Sequence, residues 1–340
     1  SEQAVWLDRL EREHDNLRAA LEASRDDRDG SEPSLRLTAA LWWFWFVRGH
    51  WSEARRWLEW LEAILAEPFT GSSRVLAKAL YGAAHIAFRM DDFGRGTALG
   101  EASLSLCRDI GDKEGMAVSL FVLGTLALMR SEQSRAANLL EEGLGLFRGL
   151  NHKWGMARSL NSLGVVAQQQ RDYERAEKSF EESMTLSREL RDTWGLSKSL
   201  NRLGELARLR GDYQLARAYH TEVLALCRQL GEKPGVATAL HNLGYVELHD
   251  GDLQRSAELF RESLQLFRDL GHRRVIALTF IGLGGLANAQ GRPVDATRIL
   301  SAADAILSEG PPMDPTEAME QAYYQGSVSA VRAALGDKAF

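Results

Sequence analysis

Few side chains in this sequence have the type and spacing for chemistry. His241, Tyr245 and His249 step by four residues, which puts them on one face of a helix. Two imidazoles at that step hold a metal ion only with a third ligand, and none is evident beside them, so no metal is expected. Cys107 and Cys227 lie 120 residues apart in an apolar column with Phe147 and Phe267, as core thiols would. Asn161, Asn201 and His241 recur at intervals of 40, as do Arg158 and Lys198. An asparagine amide both donates and accepts, which suits it to holding the backbone of an extended peptide. Cations beside it favour an acidic segment or a carboxylate. The sequence has no H-E-x-x-H, G-x-S-x-G, C-x-x-C or G-x-x-x-x-G-K-[ST] run. The chemistry on offer is recognition, so no enzyme and no cofactor is expected.

The elements that carry these residues follow from the same interval. Leu-Gly occurs at 123–124, 163–164, 203–204, 243–244 and 283–284, 40 residues apart each time. Small residues recur at Ala136, Ala176, Ala216, Ser256 and Ala296, and arginines at 108, 148, 188, 228 and 268. Within a unit, apolar residues fall at three- and four-residue steps on either side of turns such as Gly211-Asp212, so each unit reads as two helices. The glycine column lets two helix backbones approach. The arginine column, at the end of each second helix, suits the free carbonyls there.

Composition narrows the function classes. The chain has 340 residues, 45% apolar and 26% charged, with a formal charge of −6. There is no basic excess for direct nucleic-acid binding. Two cysteines give no disulfide framework and point to a reducing, cytoplasmic setting. The most apolar stretch, "AALWWFWFVRGHW", has nine uninterrupted apolar residues against the roughly 20 that span a bilayer, so no membrane association is expected. The first residues lack the apolar core of a signal peptide.

The repeat resembles the tetratricopeptide repeat (TPR): Gly164, Tyr173, Ala176 and Phe180 match its pattern, as do Gly204, Tyr213 and Ala216. The period of 40 is longer than the usual 34, and arginine stands where proline is common near the end of the second helix. Such long units resemble those of Pins-type adaptors and of bacterial signalling regulators. The resemblance implies an all-α fold, a right-handed TPR superhelix of about seven helix-turn-helix units with an N-terminal helix and a C-terminal capping helix. The expected division is an amphipathic helix and linker over 1–30, an array over 34–310 and a Pro-rich break with a capping helix over 311–340. The units fall at about 34–70, 72–111, 112–151, 152–191, 192–231, 232–271 and 272–310.

The flanks carry a narrower resemblance. "WLDRLEREHDNLRAAL" and "LRLTAALWWFWFVRGHWSEARRWLEW" look like the segment that follows the winged helix in bacterial STAND-type regulators. These AfsR- and LuxR-like transcriptional regulators join an NB-ARC ATPase to a C-terminal TPR array. The resemblance implies a non-enzymatic sensor and interaction module, with ATPase and winged-helix domains of the same polypeptide as partners. The alternative is a free-standing TPR scaffold or peptide-pheromone receptor. In a TPR array the first helices line a groove, which here implies Arg158, Asn161, Gln168, Lys198, Asn201, Glu205, Arg208, His241, Tyr245 and His249 as contacts for a peptide or protein ligand. Trp42 takes the glycine column of the first unit, so that unit must pack differently. Trp43 and Phe46 then fall at groove positions of an end repeat, as a patch for domain docking partly covered by helix 3–23.

Overall fold

The computed structural model describes residues 2–25, 31–65, 71–90, 92–309 and 318–335. Among them every regular element is an α-helix. Two short N-terminal helices, α1 (Glu2–Arg12) and α2 (His14–Arg25), come first. Seven pairs follow: α3 (Ser31–Arg48) with α4 (Trp51–Leu65), α5 (Ser73–Arg89) with α6 (Phe93–Asp109), α7 (Lys113–Met129) with α8 (Gln133–Gly149), and α9 (Lys153–Gln169) with α10 (Tyr173–Glu189). The rest are α11 (Thr193–Leu209) with α12 (Tyr213–Leu230), α13 (Lys233–Asp250) with α14 (Leu253–Asp269), and α15 (Arg273–Ala289) with α16 (Pro293–Leu307). The last helix is α17 (Ala318–Leu335). None of the described helices is long and apolar enough to cross a membrane. The Pro-rich break at 311–315 lies outside the described residues.

Each 40-residue unit is two 20-residue halves. A helix ends, one residue turns left-handed, and an acidic or polar residue caps the next helix. The left-handed position recurs at Gly111, Ser131, Asn151, Arg171, Arg191, Gly211, Gly231, Gly251, Gly271 and Gly291. Asp92, Asp112, Asp212 and Asp252 then accept a hydrogen bond from the backbone N–H three residues on, which satisfies a donor that the helix itself leaves open.

Contacts divide the chain into two compact units, residues 1–166 with 182–195, and residues 167–181 with 196–340. In the first unit, α7 packs on α8 and α5 on α6. A Cβ on Gly124 would lie 2.6 Å from Cγ of Leu140, so the helices meet where the glycine column predicts. In the second unit the same column brings Gly204 under His220, Gly244 under Phe260 and Gly284 under Leu300. In alternate units a serine ties the second helix to the first: Ser103 Oγ donates to Ala77 O, Ser183 Oγ to Ala157 O and Ser263 Oγ to Ala237 O.

The first pair does pack differently. α3 lies chiefly against α5 rather than against its own partner α4. Trp42 is the cause: its indole covers Gly82 and stacks on the His85 ring with centroids 4.9 Å apart. The expected single helix over 3–23 is two segments that break at Glu13, both resting on α3. In the second unit α17 packs on α15 and α16, and Val331 enters a core with Ala287, Ala296 and Leu300.

Candidate functional site

The first-helix faces expected to form an open groove hold two closed polar centres instead, one in each unit. In the second unit α11 presents Arg208, 2% exposed, and α17 presents Glu320, 8% exposed. Arg208 Nη2 donates to Glu320 Oε1 at 2.7 Å. The guanidinium also stacks on the Tyr245 ring at 4.8 Å. His241 Nε2 stands 3.8 Å from the same carboxylate oxygen, and its Nδ1 is 3.2 Å from Thr279 Oγ1. Burial alone would raise the Glu320 carboxyl, but Arg208 and His241 outweigh it and hold the group well below the usual carboxylate range. Arg208 shifts upward for the reciprocal reason, Glu320 overcoming its burial. Nε and Nη1 of Arg208 have no protein partner, so one carboxylate carries most of the compensation for this buried charge.

In the first unit α9 presents Arg158, buried between three indoles. Its guanidinium carbon lies 3.9 Å from the Trp194 ring centroid and 5.0 Å from those of Trp43 and Trp154. Arg158 Nη2 donates to Asp192 Oδ2 at 3.1 Å. Burial is strong enough to pull the guanidinium down to about 10 despite Asp192. Trp43 also meets Trp194 edge-on at 5.0 Å and stacks on Phe46 at 5.3 Å. Phe46 is therefore buried and Trp43 half-buried. The expected patch on Trp43 and Phe46 is already covered, by Trp194 and Arg158 rather than by α1 and α2. The N-terminal helices reach the same corner from another side, where Gln3 bonds both Asp192 and the Trp194 backbone N–H.

The remaining expected contacts divide by exposure. Lys198 binds both oxygens of Glu232 at 3.1 and 3.2 Å. Asn201 donates to Glu205 at 2.8 Å and accepts from Asn242 at 3.1 Å, and Glu205 is also held by Arg202. Asn161 is half-buried. Gln168 is 1% exposed, and neither end of its amide meets a protein partner. Tyr245 is fully buried, whereas His249 is exposed and packs edge-on to Tyr213. The free cationic groove is thus corrected. Arg158, Lys198 and Arg208 are neutralised by carboxylates of their own chain, because the repeat places an acid 34 residues beyond the first two, at or near the cap of the next first helix.

The Tetratricopeptide repeat family model matches residues 155–229 and 235–307. Over those residues the chain carries tetratricopeptide repeats. Among curated protein sequences none matches it. Among solved structures, a Rap protein complexed with Competence and Sporulation Factor is similar over 97% of this chain and 94% of that one, with 11% identity and a TM-score of 0.64. The apo form of RapI is similar over 79% and 99%, with 15% identity and a TM-score of 0.59. The APC/C hetero-tetramer Cut9-Hcn1 is similar over 91% of this chain and 51% of the other, with 15% identity and a TM-score of 0.60. At such identities the likeness is one of fold.

The arginine column of the TPR units also has an added role. Arg108, Arg148 and Arg228 each face a glutamate 34 residues on, Glu142, Glu182 and Glu262, at 4.0, 3.8 and 3.2 Å. These pairs are exposed and contribute little individually. Glu320 and Asp192, the two acids that close the polar centres, did not emerge from the sequence. Asp192 follows from the 34-residue offset that also links Arg108 to Glu142. Glu320 lies outside the periodic part of the chain, and no spacing relates it to Arg208.

Proposed function

We propose that this chain is a non-enzymatic interaction module whose first-helix faces take an acidic segment of a peptide or protein ligand. One observation carries the reading. The face of the second unit already accepts a helix from outside the repeats, α17, through a glutamate on a buried arginine. That is the contact the sequence leads one to expect for an external ligand, made here by the chain itself. The polar atoms of Gln168 and Arg208 that meet no protein partner supply further hydrogen-bonding capacity on those helices.

The larger setting in this reading is a STAND-type transcriptional regulator, in which ligand binding shifts an attached ATPase between states. Its support is the resemblance of the first 60 residues. A ligand achieves such a shift only if it prefers one state, and exchange with α17 provides two states with different contacts. A second reading, a free-standing receptor, draws on the near end-to-end likeness to the Rap protein solved with Competence and Sporulation Factor.

The test is fluorescence anisotropy with a labelled peptide of residues 317–335 and the intact chain. Glu320→Gln, which weakens the internal contact, should bind the peptide at least about tenfold more tightly than the wild type, a shift of about 1.4 kcal/mol. Adding Arg208→Gln should abolish the gain. Equal affinity in all three proteins would remove the basis for the reading.

A further inference from the structure

A further cluster of chemically capable side chains lies in the first unit. Glu11 is on the last turn of α1, His14 opens α2, and His50 stands in the turn between α3 and α4. One ligating atom from each lies within 4.8 Å of the other two. His50 Nε2 is 3.2 Å from Glu11 Oε2, and the two imidazole centroids are 4.0 Å apart. His14 Nε2 is buried and meets no protein partner. A buried ring nitrogen without a partner is costly unless something else satisfies it.

We propose that Glu11, His14 and His50 form a binding site for a borderline divalent transition-metal ion, Zn2+ being the best match. Two imidazoles and a carboxylate, with a fourth position open to water, make a donor set that such ions accept. Imidazole and carboxylate ligands at about 2.0–2.1 Å around a tetrahedral centre stand about 3.3 Å apart. The His50–Glu11 distance already meets that value. Closing the rest of the 4.8 Å spread asks only for side-chain rotation, and the Glu11 side chain is 43% exposed and can turn.

The surroundings fit an ion. Phe44, fully buried, forms a floor under both rings, with centroids 5.6 Å from His14 and 4.9 Å from His50. An apolar wall on one side limits water access and lowers the local dielectric, which strengthens the attraction between a cation and its ligands. The nearby cations do not oppose a second positive charge unscreened, because Arg48 is paired with Asp8, and Arg18 binds Glu53 at 2.6 Å. Glu53 also acts on His14 electrostatically. The three ligands come from two separate stretches of chain, residues 11–14 and His50. An ion there joins the break at Glu13 to the α3–α4 turn and fixes the N-terminal helices on the first repeat.

The experiment uses the intact chain, stripped of metal by chelator. Zn2+ is titrated against a chromophoric chelator, and Co2+ serves as a spectroscopic probe of tetrahedral geometry. One equivalent should bind, with intense visible cobalt bands. Glu11→Gln, His14→Gln and His50→Gln should each weaken uptake at least about tenfold, as loss of a ligand does, with the far-ultraviolet circular dichroism unchanged. In the wild type, Zn2+ should slow hydrogen exchange in residues 11–17 and 48–54, a readout that needs no variant. No uptake by the wild type, uptake indifferent to all three substitutions, or protection located elsewhere would each overturn the proposal.

Discussion

Glu320→Gln is the most informative single change in the second unit. It removes the charge facing Arg208 while keeping size and one acceptor oxygen. Arg208 makes one hydrogen bond through Nη2, to that carboxylate, and its Nε and Nη1 meet no protein partner. The variant therefore buries an uncompensated guanidinium, a change that costs about 3–5 kcal/mol in comparable buried pairs. The retained amide oxygen and the Tyr245 face place the expectation at the lower end, about 3 kcal/mol. Urea unfolding of both proteins at pH 7 measures it. Replacing both partners, Arg208→Met with Glu320→Leu, should return stability to within about 1 kcal/mol of the wild type, since desolvation is then relieved along with the attraction. The pH dependence supplies a sign. Glu320 is held below its ordinary 4.5, so its contribution is complete above that value and fades as pH falls below it. The gap between wild type and Glu320→Gln should be constant from pH 8 to about 5 and narrow in stronger acid. A cost under about 1 kcal/mol, or a double variant no better than the single one, would refute the reasoning.

Two further predictions concern the repeats. His220 is buried under Gly204 at a position where neighbouring units have Phe180 and Phe260, and burial lowers its pKa from 6.5 to about 3. The unfolded chain then binds a proton that the folded one does not, so stability falls as pH drops below 6.5, by about 2 kcal/mol at pH 5 for this residue. His220→Phe should remove about that much of the difference in unfolding free energy between pH 7.5 and 5, and an unchanged difference would count against a neutral buried imidazole. Gly124→Ala puts a Cβ 2.6 Å from Leu140 Cγ and 3.3 Å from its backbone nitrogen, so helix as well as side chain must move. The expected cost is about 1–3 kcal/mol by thermal or urea unfolding, and a neutral result would mean that α7 and α8 do not pack as closely as described.

Much of the helical architecture was legible because it is periodic. The Leu-Gly, alanine and arginine columns reflect contacts that recur from unit to unit. The interval between units therefore reveals the packing without any knowledge of distance. The departure at Trp42 was legible for the same reason: a large ring in a column of small residues has to be seated somewhere, and Gly82 receives it. The polar first-helix faces were half legible. Their residue types and positions follow from the repeat, so Arg158, Arg208 and His241 could be placed on first helices. Their burial could not. It depends on Glu320, Trp43 and Trp194, which meet these residues across folded distances that no column expresses. The cluster of Glu11, His14 and His50 was hidden in the same way. His14 and His50 come together only because α1 and α2 lie on α3.

The central claim is that α17 occupies the site an acidic ligand would take. Hydrogen exchange on the intact chain, with and without a saturating peptide of residues 317–335, tests it most directly. The account predicts that the backbone amides of α17 lose protection as the peptide binds, while those of α11 and α13 keep theirs. Peptide binding that leaves α17 as protected as before would contradict it.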